Sequence, residues 1–262
     1  MEITMFAIML LFGAVVGSFL NVVILRLPEE GSSIVYPGSH CPLCKAPIHW
    51  YDNIPIVSYV VLLRGKCRSC KTGISFQYPL VELSMALLTG AAFHRFDLSF
   101  DLFYYFLFLA ALLVIIFIDL KHQIIPDVLS LPGIIIGFGG AFFAANVSWL
   151  ESLIGLLAGG GVLYLVALGY YLVTKRDGMG GGDIKLLAMI GAFLGWKSLL
   201  YVLFFSSFTG SIIGVTTMLI KGSGSQLKIP FGPFLSLGAI TYLFFNDQLM
   251  QLWSWYLQFM AG

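Results

Sequence analysis

An all-α, polytopic membrane protein is the fold class this sequence predicts, with about eight transmembrane helices, the N-terminus outside and one small cytoplasmic loop domain. Three observations predict it. Of 262 residues, 59% are hydrophobic and only 10% charged, with a mean hydropathy of +0.93, whereas a soluble domain carries about 25% charge. Apolar runs bounded by polar or Gly/Pro clusters recur along the chain. Finally, 12 of the 14 Lys and Arg residues fall on alternate connections, hence on one side of a membrane.

The runs are 5–25, 79–93, 102–118, 128–145, 151–173, 184–196, 198–220 and 231–245. The first is too long for a signal-peptide core, has only Glu2 ahead of it and ends in Arg26 without a small-residue cleavage site, so it reads as a retained span. Gly13, Gly17 and Asn21 recur every four residues on one face of it, which suits close helix packing. The second and sixth runs are short. The Trp- and Tyr-rich stretch 249–260 reads as an interfacial helix or as an extension of the last span.

With the N-terminus outside, Arg26, Lys45, Arg64, Lys66, Arg68, Lys71, Lys121, Lys175, Arg176, Lys185, Lys221 and Lys228 are cytoplasmic. Only Arg95 and Lys197 lie outside, and the positive-inside rule selects this orientation. The outer loops carry the acids Asp97, Asp101, Glu151 and Asp247. No basic face with interleaved aromatics lies outside the apolar runs, which leaves nucleic-acid binding without support.

All four cysteines fall in the one long loop. Cys41 and Cys44 form one CxxC pair, Cys67 and Cys70 the other, and 22 residues separate the pairs. That spacing reads as a four-thiolate zinc site, structural because four sulfurs leave no open position for water. Two disulfides are the other reading, and a cytoplasmic location disfavours them. His40 and His49 lie nearby but are not needed as ligands. A loop of this size has little apolar core, so the metal is expected to hold it folded. The domain division is therefore 1–25, first transmembrane helix; 26–78, zinc-binding loop; and 79–262, transmembrane core.

Two carboxylates stand out at the membrane rim. Asp119 ends the third run, where the helix dipole opposes an acid, and Asp183 follows Gly180-Gly181-Gly182 at the start of the sixth. In the predicted orientation both face the cytoplasm, where a pair sharing one proton has the chemistry of an aspartic protease. For Asp119 the bland reading is a helix-end acid paired with Lys121 or His122; for Asp183 it is a helix N-cap. Asp127, after Ile124-Ile125-Pro126, reads as a cap yet remains a rival for the pair, Asp177 reads as a solvated loop charge, and Glu82 as a functional or paired acid inside the second run. The triglycine reads either as a substrate-binding turn or as a plain loop.

The motifs resemble one family, the type IV prepilin peptidases. They are Gly17-Ser18-Phe19-Leu20-Asn21-Val22-Val23 with Arg26-Leu27-Pro28, the two CxxC knuckles with Trp50-Tyr51-Asp52-Asn53-Ile54-Pro55 between them, Tyr78-Pro79-Leu80-Val81-Glu82, Asp119 with Ile125-Pro126-Asp127, Gly180-Gly181-Gly182-Asp183-Ile184-Lys185, and Ile229-Pro230-Phe231-Gly232-Pro233-Phe234. The resemblance covers nearly the whole chain. It implies a GxGD-type membrane aspartic endopeptidase of the bacterial inner membrane, its active site facing the cytoplasm, with Asp119 and Asp183 as the catalytic pair. It also implies prepilin and pseudopilin substrates of type IV pili or protein secretion, cut after a short basic leader. N-methylation of the new N-terminus follows, with S-adenosylmethionine as donor. The cysteine loop is associated with that second activity, and Glu82 is the candidate donor-binding residue. Gln77 stands where many members carry Arg, which keeps a peptidase without methyl transfer as the alternative. Glu29 and Glu30 are placed to attract a basic leader. A metal-binding transporter and a zinc-bearing assembly scaffold are the competing classes. The first lacks acids across the midplane and an inverted repeat; the second leaves Asp119 and Asp183 unexplained.

Overall fold

The computed structural model describes residues 2–29, 31, 33–175, 180–221 and 229–261. Glu30, Arg176, Asp177 and Lys228 lie outside the described residues. The chain forms two compact units, Met1–His122 and Gln123–Gly262. Outside the long loop 27–76, which holds two isolated β-bridges and two short helical turns, the described residues are mostly helical.

The first unit holds α1 (Glu2–Arg26), α2 (Gln77–Phe96) and α3 (Phe100–His122). The cysteine loop joins α1 to α2. The small-residue face of α1 is what α2 packs on. A Cβ at Gly17 would lie 2.7 Å from the Glu82 Cα, and one at Gly13 would lie 2.8 Å from the Met85 carbonyl oxygen. Asn21 Nδ2 completes the face by donating to the carbonyl of Tyr78 at 3.1 Å. The pairs 13/85, 17/82 and 21/78 run in opposite directions along the two helices, so α1 and α2 are antiparallel and locked in register. Backbones this close gain dispersion contacts, the main attraction left between helices in lipid. α3 supplies the apolar filling, with Phe108, Leu109, Leu112 and Ile115 fully buried.

The second unit holds α4 (Asp127–Gly140), α5 (Trp149–Thr174), α6 (Gly181–Leu194), α7 (Lys197–Lys221) and α8 (Gly232–Ala261). Beyond its first turn, which carries Asp183 and Lys185, α6 is apolar all round, and its Leu186, Leu187, Met189 and Ile190 are fully buried, as expected of a helix enclosed by others. α5 lies directly on it: a Cβ at Gly155 would overlap the Gly191 backbone. Ser152 Oγ satisfies the carbonyl of Ala192 at 2.6 Å. α5 starts with a capping box, in which Glu151 N–H donates to Ser148 Oγ and Ser148 N–H donates to Glu151 Oε2. Lys197 reaches the same Glu151 at 2.8 Å.

Among the described residues, four helices are long and apolar enough to cross a membrane: Ile3–Arg26, Phe100–His122, Trp149–Thr174 and Lys197–Ile220. This is a membrane protein. α4 and α6 have 14 residues each, about 21 Å of helix against a hydrocarbon layer of about 30 Å. α4 stops at Gly140, short of the expected 145, and α8 runs unbroken through 249–260.

If α1 and α2 depend on the close approach at Gly17, then Gly17→Leu destabilises the protein by about 1–3 kcal/mol. Thermal unfolding in detergent reads this, and Phe19→Leu, at an exposed position of α1, leaves the transition where it was.

Candidate metal centre and active-site carboxylates

Each CxxC pair sits in the same backbone turn. In the first, Cys41 N–H donates to Ala46 O, Lys45 N–H donates to Cys41 O, and Lys45 takes the left-handed φ of 57°. In the second, Cys67 N–H donates to Thr72 O, Lys71 N–H donates to Cys67 O, and Lys71 has φ 60°. A β-bridge closes each turn, His40 to Pro47 and Lys66 to Gly73. The two turns aim four sulfurs at one point. All four Sγ atoms lie within 4.8 Å of one another, with Cys41 and Cys70 3.8 Å apart and Cys44 and Cys67 4.0 Å apart. A tetrahedron with metal–sulfur bonds of about 2.3 Å has edges of about 3.8 Å, so the cluster fits a four-thiolate metal ion. A disulfide needs about 2.05 Å, and these cysteines are free. The Thr72 hydroxyl and backbone N–H beside Cys70 hold its thiol down at about 6, and backbone N–H groups of the knuckle lower Cys41 as well. Both favour the thiolate form that binds metal, whereas, against the Ala46 backbone N–H, burial and the three neighbouring sulfurs push Cys44 up to about 11, the mutual repulsion that a bound cation would relieve. His40 instead faces the Gly38 carbonyl at 2.9 Å, and His49 stacks on Tyr51.

The loop is tied together by an ion pair that sequence inspection passes over. Arg68 donates from Nε and a terminal nitrogen to both oxygens of Asp52, at 2.8 and 2.6 Å. Asp52 is buried, and the guanidinium holds its carboxyl below the usual carboxylate range. Arg68 lies between the two ligands of the second knuckle, so the pair anchors that knuckle to the 3-10 turn Trp50–Asn53.

Between the loop and the helix ends is a cavity of about 500 Å³. Cys41, Asp52, Tyr59, Gln77, Glu82 and Lys121 are among its walls. Glu82 is buried and accepts the Ile56 backbone N–H at 2.7 Å. Gln77 Nε2 is buried with no hydrogen-bond partner. A carboxylate and an unused amide donor in one largely apolar cavity can meet a positive centre and an acceptor of the same small ligand.

Asp119 is buried in the last turn of α3, in the first unit. Asp183 is half-buried in the first turn of α6, in the second. The N-cap of α6 is Gly180, not Asp183, so the capping reading is corrected: Asp183 occupies the third helical position, and its own N–H donates to Gly180 O at 3.2 Å. Asp127 is not a cap either. Pro126 is the N-cap of α4, and both oxygens of Asp127 accept from Lys185 Nζ, at 2.7 and 2.8 Å. That pair ties the start of α4 to the first turn of α6. Part of the triglycine has the same task, since a Cβ at Gly182 would lie 2.9 Å from the Ile125 Cβ.

A model of the bacterial A24 peptidase N-terminal domain matches residues 11–96, and one of the type IV leader peptidase family matches residues 106–215. A prepilin leader peptidase/N-methyltransferase of Pseudomonas aeruginosa is 38% identical over 95% of this chain and 92% of its own length. The chain belongs to the type IV leader peptidase family. It is an enzyme of that family. Relatives with the same name from Aeromonas hydrophila and Legionella pneumophila are 37% and 35% identical, over 96% and 97% of this chain and 93% and 94% of theirs. No solved structure matches. Both matched regions carry the features described above: the knuckles and Glu82 in the first, Asp119, Asp127, Asp183 and Lys185 in the second.

The four-sulfur cluster predicts one divalent metal ion per chain by elemental analysis. Cys41→Ser with Cys67→Ser abolishes it. The metal-free protein is then cut by trypsin within 64–71, where the metal-loaded protein resists.

Proposed function

We propose that this enzyme removes the short basic leader from prepilins and pseudopilins at the cytoplasmic face of the bacterial inner membrane, then N-methylates the exposed N-terminal residue. The observation that carries the reading is a buried carboxylate closing α3, Asp119, together with a half-buried one opening α6, Asp183, in a chain of the leader peptidase family. Buried acids at helix ends are costly unless they serve chemistry. One carboxylate, ionised, takes a proton from water; the other, protonated, polarises the scissile carbonyl. The proton taken from water then passes to the leaving amine, and the pair titrates as a unit. The ion pair to Lys185 occupies Asp127 and favours Asp119 with Asp183 over its rival.

The orientation follows from the 12 of 14 basic residues that fall on one side when eight helices cross with the N-terminus outside. Short α4 and α6 then span with the help of α5, α7 and α8 packed around them. The domain division is 1–25 as first helix, 26–78 as metal-binding loop and 79–262 as peptidase core. The metal is zinc, the common ion of tetrahedral four-cysteine sites, and its role is structural. S-adenosylmethionine, when bound, supplies an electrophilic methyl group. In the loop cavity Glu82 would hold its cationic end and the unpartnered Gln77 Nε2 would donate to one of its acceptors.

Leader cleavage by purified protein tests the dyad. Asp119→Asn and Asp183→Asn each lower the rate at least about 100-fold, the contribution expected of a general acid or base, while Asp127→Asn retains cleavage. Glu82→Gln still cleaves but loses methyl transfer, scored by mass of the mature N-terminus; unchanged methylation removes Glu82 from the donor site.

A further inference from the structure

The loop between α1 and α2 does not simply project into water. Asn21 of α1 is level with Tyr78 of α2, through the 3.1 Å hydrogen bond between them. Asn21 lies five residues before Arg26, the polar end of α1, about 7.5 Å further into the bilayer. The start of α2 is thus sunk below the level that Arg26 marks. The Ile56 amide is held at this depth too, because Glu82, one turn further along α2, binds it at 2.7 Å. The chain has to fold back along the helices to get there. It does so through a tight turn in which Ile56 adopts φ 60° and Val57 N–H donates to Pro55 O, a conformation rare for a β-branched residue.

A π-helical turn, Ser58–Leu62, follows. Its inner side is polar and used: Ser58 Oγ donates to Tyr51 O, and the Tyr59 hydroxyl donates to Ile74 O. Its outer side is aliphatic and bare, with Val57, Val60, Val61 and Leu62 between 47% and 62% exposed. Tyr59 also packs edge-on against Phe76, itself 66% exposed and the residue before α2. At this depth α1 exposes Phe19 as well. Exposed Arg64 and Lys66 come directly after the aliphatic turn.

We propose that 54–62 is a re-entrant wedge inserted into the membrane leaflet next to the metal-binding loop. Val60, Val61 and Phe76 lie among acyl chains, and Arg64 and Lys66 lie at anionic headgroup phosphates. Depth decides in favour of lipid, because the surface lies at the level of the lipid-facing part of α1. The adjoining charges suit phosphate, and an aliphatic face with a basic border is the pattern of an interfacial segment. The wedge also forms part of the cavity wall through Ser58 and Tyr59, so the membrane surface fixes one side of that cavity.

The test uses the full chain in nanodiscs of phosphatidylethanolamine and phosphatidylglycerol, with or without lipids brominated in mid-acyl chain. Val60→Trp and Val61→Trp each add one fluorophore, read as the difference from the parent protein. Tyr36→Trp is the control at headgroup level, since Arg26 holds the neighbouring Pro37 carbonyl at 2.6 Å. The expected result is a blue-shifted added emission that brominated chains reduce by about half in the first two variants, and little quenching in the control. Unquenched, red-shifted emission from both wedge variants, in protein that retains its metal, overturns the proposal. Blue-shifted emission that bromine does not quench overturns it too, because a protein partner then covers the face.

Discussion

Everything in the first unit depends on how closely α1 approaches α2. The approach is set by hydrogen atoms standing where side chains would be, at Gly13 and Gly17, and by one amide, Asn21, that spans the remaining gap. In water such a face would be unremarkable. In lipid, where apolar surface gains nothing by leaving solvent, close backbone contact is the main source of cohesion. Because the two helices meet in one register, the level of every residue on α2 is fixed by α1. Glu82 therefore sits opposite Gly17, buried, and offers its carboxylate to a loop that has no comparable core of its own.

That loop is built twice over. Two seven-residue turns, 41–47 and 67–73, share the same hydrogen bonds and the same left-handed lysine, and neither is half of a stable domain without the other. Their four sulfurs converge on one point that fits a metal ion, and the Asp52–Arg68 pair orients the second against the intervening segment. Loss of a ligand pair would leave hydrogen bonds and this ion pair but no covalent or apolar core between the two turns, which explains why the metal is expected to be a condition of folding more than an ornament.

Much of this was legible in the sequence for direct physical reasons. The helices follow from apolar runs, and each expected run has a helix over it, because hydrophobic length and secondary structure are the same property in a bilayer. The four-cysteine cluster followed from spacing, since two CxxC turns bring their sulfurs to one point. Three things were not legible. The expected Asp127 cap turned out to be an ion pair with Lys185, 58 residues on, and no local pattern announces such a partner. Asp183 looked like a cap because a polar residue precedes an apolar run, but the helix starts two residues earlier, at Gly181, and it is the next glycine, Gly182, that leaves room for Ile125. The depth of the 54–62 segment depends on a hydrogen bond between a backbone amide and a distant carboxylate, and periodicity carries no information about that.

The turn at Ile56 has a thermodynamic consequence. A β-branched residue held in the left-handed region costs about 1–3 kcal/mol, and the bond to Glu82 is one of the contacts that sustains it. Any cation or donor that takes over the Glu82 carboxylate competes with that amide. Occupancy of the cavity and the shape of the loop are then two readings of one equilibrium, and each must bias the other by the same factor.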